Sequence, residues 1–104
     1  MQTITAVIPT KNEEKNIEQC IKSLLWCNKI IVIVTGTDKT DRIAKKLGAQ
    51  VVQKGKTNHD DFEKVQHNIN WAIKNCTTDW MIRVDADEVV TPELTKEIVS
   101  ILKS

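Results

Sequence analysis

The apolar run Ile30-Ile31-Val32-Ile33-Val34 decides the fold of this 104-residue chain. Its side chains are β-branched and apolar at consecutive positions, whereas a strand with one face in water alternates polar and apolar residues. A strand of this kind is buried on both faces, which is typical of a parallel sheet that helices cover on both sides. The run therefore predicts a central parallel sheet.

Strand-like and helix-like segments alternate along the rest of the sequence. Strands are predicted at Ile4–Ile8, Lys29–Val34, Ala49–Gln53 and Asp79–Val84, helices from Asn12 and over Asp38–Leu47, Asp60–Cys76 and Thr91–Lys103, and a polar loop at Lys54–Asn58. The order βαβαβαβα predicts an α/β fold, a three-layer Rossmann-like parallel sheet in one domain. Right-handed crossovers favour the strand order 3-2-1-4, which reverses between the first and fourth strands. Ligands bind at such a reversal, beyond the carboxyl ends of the strands.

Three of the helices carry apolar stripes at helical spacing. The stripes are Ile17, Cys20, Ile21, Leu24 and Leu25 in the first helix, Phe62, Val65, Ile69, Ala72, Ile73 and Cys76 in the third, and Leu94, Ile98, Ile101 and Leu102 in the last. Gly48 is predicted to close the second helix, and Thr91-Pro92-Glu93 to start the last. The last stripe is predicted to cover the sheet. The alternative is that it docks on a second copy of the chain and forms a homodimer.

Composition argues against several classes of protein. The formal net charge is +1, so binding to nucleic acid through a basic surface is not expected. No apolar run approaches the length that crosses a bilayer, and Met1–Thr10 lacks the basic start of a signal peptide. We therefore expect a cytoplasmic protein, with peripheral attachment to the inner face of the membrane as an alternative. Cys20, Cys27 and Cys76 contain no C-x-x-C pair and are expected to be reduced, buried thiols.

Carboxylates are concentrated in the stretch Arg83-Val84-Asp85-Ala86-Asp87-Glu88. Asp85 and Asp87 are spaced i, i+2, which points both side chains to the same side of an extended chain. Two carboxylates that follow a buried strand at the reversal suit a divalent cation carrying phosphate oxygens. The alternative is that Asp85 or Asp87 caps a following turn and that Glu88 is an ordinary surface residue.

Other chemistries lack support in the sequence. Neither G-x-x-x-x-G-K-[ST] nor G-x-G-x-x-G occurs, so phosphate would be bound through a metal rather than by a glycine-rich loop. Adjacent carboxylates do not suggest the separated pair of a glycoside hydrolase. Thr10-Lys11-Asn12 after the first strand disfavours a phosphoacceptor site of the response-regulator kind. His67 is expected on the surface, and no Ser-His-Asp arrangement has positional support.

Four stretches carry polar motifs in a characteristic order and spacing. They are Val7-Ile8-Pro9-Thr10-Lys11-Asn12-Glu13-Glu14, Thr37-Asp38-Lys39-Thr40, Gln66-His67-Asn68 and Val84-Asp85-Ala86-Asp87-Glu88. Together they resemble family 2 glycosyltransferases with the GT-A fold, in a subtype similar to lipopolysaccharide-core and related bacterial cell-surface sugar transferases. The resemblance covers nearly the whole chain and implies that residues 1–104 form the nucleotide-sugar-binding half of a GT-A domain, without its acceptor-binding half.

The resemblance implies a site for a nucleotide sugar, a UDP-sugar, together with Mg²⁺ or Mn²⁺. The implied nucleotide-sugar-binding residues are Pro9, Thr10, Lys11, Glu13, Thr35, Asp38 and Asp85. Asp87, with Asp85, would hold the metal that bridges the diphosphate, and Asp85 would also face the ribose or the sugar. The cation would stabilise charge that develops on the leaving nucleoside diphosphate. A glycan or a lipid-linked molecule at the cell surface would be the acceptor.

Two departures from the family's pattern bear on these expectations. After Val34 the shorter Thr35-Gly36-Thr37 replaces the V-D-x-x-S segment, whose Asp contacts the base. Asp38 is retained, and the alternative to its role in nucleotide-sugar binding is that it only caps the next helix. The sequence also ends one helix after the acidic stretch, and no residue is assigned as the catalytic base. We expect an excised nucleotide-binding half, a truncated gene product or a small relative that works with a partner. Alternative functions are a non-catalytic nucleotide-binding or assembly module, and a plain α/β domain whose acidic residues are surface residues.

Overall fold

The computed structural model describes residues 1–53 and 66–104 in full and the backbone of residues 62–65. Strands and helices alternate in the predicted order. They are β1 (Ile4–Thr10), α1 (Ile17–Lys22), β2 (Lys29–Val34), α2 (Thr40–Lys46), β3 (Gln50–Gln53), α3 (Phe62–Lys74), β4 (Trp80–Arg83) and α4 (Pro92–Lys103). The loop predicted at Lys54–Asn58, the helix start predicted at Asp60 and the side chains of Phe62 and Val65 lie outside this description.

The strands form one parallel sheet in the order β3-β2-β1-β4, which confirms the predicted order 3-2-1-4. β1 is central, because it pairs with β2 on one side and with β4 on the other. Thr10 lies opposite Val34, and Val7 lies opposite Arg83. The strand order reverses between β1 and β4, so the carboxyl ends of these two strands flank the place where sheets of this kind bind ligands.

Both faces of β2 are buried, as the apolar run predicts. One core lies between the sheet and helices α1 and α2, and a second lies between the sheet and α3. β2 contributes Ile30, Val32 and Val34 to the first core and Ile31 and Ile33 to the second. Successive side chains of a strand point to opposite faces, so helix packing on both faces accounts for the unbroken apolar run.

Two helix ends follow their predicted chemistry. Gly48 has φ 91° just beyond α2, a left-handed conformation that glycine adopts without strain. Thr91 caps α4, since its Oγ1 accepts a hydrogen bond of 3.2 Å from the Leu94 N–H and Pro92 occupies the first helical position. The start of α1 differs from the prediction. The helix begins at Ile17 rather than near Asn12, because residues 11–16 form bends and turns.

The predicted apolar stripes are only partly buried. Ile17, Cys20 and Ile21 of α1 are buried, as is Leu24 in the turn that follows the helix, but Leu25 in the same turn is 58% exposed. Ile73 of α3 is also exposed. α4 departs furthest from the prediction that it covers the sheet, because Leu102 is buried while Leu94 and Ile101 are 44% and 59% exposed. Within the described residues, no helix is both long and apolar enough to cross a membrane.

The double burial of β2 predicts a large loss of stability for Ile33→Ala. Ile33 is completely buried between the sheet and α3, so truncation removes apolar contacts and leaves a cavity. We expect the free energy of unfolding to fall by about 2–5 kcal/mol. The measurement is urea unfolding followed by circular dichroism.

Ile73→Ala is the matched control, because the same truncation at this exposed position of α3 should change stability by no more than about 0.5 kcal/mol. Equal losses in the two variants would contradict the assignment of Ile33 to the core.

Candidate functional site

The acidic stretch follows β4 directly and lies beside the end of β1. β4 ends at Arg83, opposite Val7, and the Val84 N–H still donates to the Val7 carbonyl at 3.0 Å. The next residues therefore begin level with the last residues of β1. This arrangement places the carboxylates at the reversal of strand order, where the sequence predicted them.

The acidic residues form a turn rather than an extended strand. The Glu88 N–H donates to the Asp85 carbonyl at 2.9 Å, and Glu88 Oε1 accepts from the Asp85 N–H at 2.9 Å. Val84 and Ala86 are buried in the first core, while Asp85 and Asp87 are exposed. Both aspartates thus reach solvent, as predicted from an extended chain. The cause is different, because a hydrogen-bonded turn with buried residues at positions 84 and 86 holds them there. Glu88 is exposed, as the alternative expected, and its side chain and N–H also take part in the turn.

Cys20 of α1 lies beneath this turn. Its side chain is completely buried, and Sγ donates to the Asp85 carbonyl at 3.6 Å. Burial raises the pKa of Cys20 to about 12, with further increases from the negative charges of Glu88, Asp87, Asp85 and Glu13. Glu13 follows β1, whereas the other three acids follow β4. Carboxylates that follow both β1 and β4 therefore contribute to the raised pKa of the Cys20 thiol.

The raised pKa predicts that Cys20 makes stability depend on alkaline pH. The folded protein keeps Cys20 as the neutral thiol, while the unfolded chain ionises it near its ordinary pKa of 9.0. The stability from this group is complete below pH 9 and declines as the pH rises toward 12. Urea unfolding over this range should show a shallower decline for Cys20→Ala than for the unmutated chain.

Cys76→Ala is the control. Hydrogen bonding to the Thr78 hydroxyl lowers the pKa of Cys76, so removing this thiol should not make the decline shallower. If the free energy of unfolding fell equally steeply with pH in Cys20→Ala and the unmutated chain, the raised pKa of Cys20 would be contradicted.

Thr10 and Thr35 fix the ends of β1 and β2 to each other. The Thr10 hydroxyl donates to the Ile33 carbonyl at 2.9 Å, and the Thr35 hydroxyl donates to the Thr10 carbonyl at 2.8 Å. The Thr35 N–H also donates to the Thr10 carbonyl, at 3.2 Å. Both side chains are buried. Each hydroxyl proton is already used, so these groups could meet a ligand as acceptors but not as donors.

Asp38 is held by the loops around it. Its carboxylate accepts from the Glu14 N–H and the Thr40 N–H, each at 3.0 Å, and from the Thr40 hydroxyl. Burial alone would raise the pKa of Asp38, but the hydrogen bonds from Thr40 and Glu14 lower it below the ordinary value. This pattern is typical of a carboxylate that stabilises backbone N–H groups.

The other predicted site residues lie nearby. Pro9 is half-buried within β1, Lys11 is half-buried just after it, and Glu13 is half-buried in the following loop. The Glu13 N–H donates to Thr40 Oγ1 at 3.0 Å, and Glu13 Oε2 accepts from Asn16 Nδ2 at 3.1 Å. The structure thus brings the predicted residues of the first and second strand ends together through Thr40 and Asp38. His67 is exposed, as predicted.

Three residues that organise this region were not predicted to do so. Asn12 was interpreted as a helix start, Cys20 as a structural thiol, and Thr40 as part of a motif without its own role. Asn12 instead has φ 55°, and its Oδ1 accepts hydrogen bonds from the next loop. Asparagine tolerates this conformation well, which is the signal that the sequence offered.

The donor set for a metal is open rather than enclosed. Among the described residues, no group of three or more His, Cys, Asp and Glu side chains is placed to hold a metal ion. Two exposed aspartates suit a cation such as Mg²⁺, which takes one or two carboxylates and fills its remaining positions with water and phosphate oxygens. A separate cavity of about 280 Å³ lies at the opposite end of the sheet, near Asn28, Lys29 and Gln50, and so does not involve this chemistry.

Comparison with known proteins identifies related chains. The family described as Glycosyl transferase family 2 matches residues 5–104. An uncharacterized glycosyltransferase of Rickettsia typhi is 36% identical over 109 residues, which cover 100% of this chain and 34% of the relative. Uncharacterized glycosyltransferases of Rickettsia bellii and Rickettsia conorii are 37% and 33% identical, over 97% and 99% of this chain and 33% and 35% of the relatives.

The chain therefore spans about a third of the length of these relatives. The family match begins within β1 and takes in the other three strands of the sheet and the acidic turn at its reversal. This coverage, together with the relatives that align over nearly the whole sequence, shows that the chain belongs to glycosyl transferase family 2.

Proposed function

We propose that this chain binds the nucleoside diphosphate sugar donor of a glycosyltransferase, with Mg²⁺ or Mn²⁺ held at Asp85 and Asp87. The observation that carries the proposal is the convergence of carboxylates at the reversal of the sheet. Asp85, Asp87 and Glu88 lie in the hydrogen-bonded turn that follows β4 beside the end of β1, and Glu13 lies in the loop that follows β1. Such a concentration of negative charge attracts a cation, and a cation can then bind diphosphate.

The acidic turn retains its capacity for a cation. Arg83 Nε is 3.7 Å from Asp85 Oδ1, but both side chains are substantially exposed, so this ion pair contributes little. Asp87 is exposed at the outer side of the turn. We assign Asp87 as the main metal ligand and Asp85 as a second ligand that also faces the ribose or the sugar. Since the described residues offer no cluster of three or more metal-binding side chains here, diphosphate oxygens would complete the coordination of the cation.

The nucleoside would lie beside the ends of β1 and β2. We assign Pro9, Thr10, Lys11, Glu13, Thr35 and Asp38 to this side of the site. Thr10 and Thr35 form its buried floor, and their hydroxyl oxygens retain acceptor capacity. Asp38 contributes by holding the loops, because its carboxylate already accepts several hydrogen bonds. UDP is the nucleotide that we propose.

Sugar transfer requires chemistry beyond donor binding. The bond between the anomeric carbon and the diphosphate oxygen breaks, a bond to the acceptor hydroxyl oxygen forms, and the hydroxyl proton passes to a base. A bound cation would stabilise negative charge on the departing diphosphate. We assign no described residue as that base. For the whole protein we propose a glycan or lipid-linked acceptor and a cytoplasmic location, with peripheral attachment to the inner face of the membrane as the alternative.

The proposal predicts that UDP binding depends on both metal and Asp87. In a titration with UDP followed by amide NMR, we expect chemical-shift changes at Thr10, Asp85 and Asp87 when Mg²⁺ is present. Mg²⁺ is used in this measurement because paramagnetic Mn²⁺ would broaden the signals. Asp87→Asn removes the charge on the main ligand, and we expect the affinity to fall about tenfold or more. Isothermal titration with Mn²⁺ measures the same loss.

Asp79→Asn is the matched control, because it removes the same charge beside the amino end of β4. Asp79 is exposed and accepts from the Thr3 N–H at 2.8 Å, far along the strand from the acidic turn. Its substitution should leave UDP affinity unchanged. Metal-independent UDP binding, or equal affinity in Asp87→Asn, would contradict the metal site.

A second candidate function is a non-catalytic binding or assembly module. The observation that favours it is the apolar side of α4, where Leu94 and Ile101 remain 44% and 59% exposed. Exposed apolar patches often mark sites of protein association. We propose a second copy of the chain as the partner, so that α4 helices meet in a homodimer. A turnover assay distinguishes this function from sugar transfer. An assembly module would bind nucleotide without releasing UDP from a UDP-sugar.

The homodimer predicts a molar mass that rises toward twice the monomer's with protein concentration. Ile101→Glu places a charge on the exposed apolar side and should return the protein to a monomer. Sedimentation velocity measures both states. Ser100→Glu adds the same charge at an exposed position beside the stripe and is the control. A monomer at every concentration would rule out the dimer.

A further inference from the structure

Asn12 joins the two loops that follow β1 and β2. Among the described residues it is the one position other than glycine with positive φ, 55°. Its Oδ1 accepts from the Thr37 N–H at 2.9 Å and from the Asp38 N–H at 3.3 Å. The left-handed backbone at Asn12 thus turns the chain after Lys11 so that the side chain reaches the other loop.

Gly36 faces Asn12 across this junction. A Cβ atom at Gly36 would overlap the Oδ1 and Cγ atoms of Asn12 and its backbone nitrogen. The loop after β2 therefore approaches Asn12 too closely at Gly36 to leave room for a Cβ atom. Any side chain larger than glycine at position 36 would have to push the loop after β2 away from the loop after β1.

Hydrogen bonds in the reverse direction complete the junction. Asp38 accepts from the Glu14 N–H at 3.0 Å, and Thr40 Oγ1 accepts from the Glu13 N–H at 3.0 Å. Thr40 is completely buried. We call Asn12, Asp38 and Thr40 the loop clamp. Each of these side chains accepts at least one hydrogen bond from a backbone N–H of the facing loop, so the clamp joins the two loops from both directions.

We propose that Asn12 is a positioning residue for nucleotide binding, because its side chain fixes the loop that carries Lys11 and Glu13 against the loop that follows Thr35. This inference rests on the proposed binding of a nucleoside diphosphate sugar. Residues that orient ligand-binding groups affect affinity without touching the ligand, by amounts near ten- to hundredfold at metal sites. Asn12 acts in this way on the nucleoside side of the site.

Asn12→Gly tests the inference on the 104-residue chain. Glycine keeps the positive φ without strain but removes the oxygen that accepts from Thr37 and Asp38. We expect the affinity for UDP with Mn²⁺, measured by isothermal titration, to fall about tenfold. Gly36→Ala opens the same junction from the opposite loop and should weaken UDP binding as well. It keeps the test decisive if Asn12→Gly does not fold.

Asn28→Ala is the matched control. Asn28 Oδ1 also accepts from a backbone N–H, that of Ile4 at 2.9 Å, but at the opposite end of the sheet. Asn28→Ala should lose stability in urea unfolding and keep its UDP affinity. If Asn12 served only stability, Asn12→Gly would behave in the same way and also keep its UDP affinity. Unchanged affinity in folded Asn12→Gly and Gly36→Ala, with binding by the unmutated chain, overturns the inference. Failure of the unmutated chain to bind overturns the proposed function itself.

Discussion

The pairing of β1 on both of its edges is the constraint on which the candidate site depends. Hydrogen bonds to β2 and β4 place three strand ends side by side, although long stretches of sequence separate them. The order of strands reverses between β1 and β4, which is where sheets of this kind bind ligands. The acidic turn lies at this reversal because β4 pairs with β1. A substitution that weakened this pairing would separate the carboxylates from the loops after β1 and β2.

Hydrophobic patterning carries most of the information that predicts this fold. The run Ile30–Val34 predicted burial on both faces, and alternation of strands and helices then predicted the order 3-2-1-4. The same reasoning was wrong for Leu25, Ile73, Leu94 and Ile101, which remain exposed. Helical spacing shows that residues share one side of a helix, but it does not show how much of that side the sheet covers. For α4, which follows the last strand, the buried fraction of its apolar side depends on how the helix packs against the rest of the chain.

Polar contacts near the site were harder to predict, since they join residues that are distant in sequence. Asp85 and Asp87 could be placed from position alone. The partner of Asn12 could not, because its contacts with Thr37 and Asp38 exist only after β1 and β2 pair. Cys20 gave a signal for burial but none for its place under Asp85. Likewise, Asp38 resembles a ligand-binding acid in sequence, whereas its hydrogen bonds show a carboxylate that holds two loops.

The polar residues near the reversal of the sheet fall into two groups. Thr10, Thr35 and Asp38 are committed to backbone partners and make the loops rigid. Asp85 and Asp87 are exposed and add negative charge. A diphosphate is itself an anion, so these carboxylates would repel it in the absence of a cation. A divalent ion reverses that interaction, because it is attracted to the carboxylates and offers its remaining positions to phosphate oxygens. Under the proposed function, the nucleoside side held by these hydrogen bonds and the metal-dependent diphosphate side would both follow from the packing of β1 between β2 and β4.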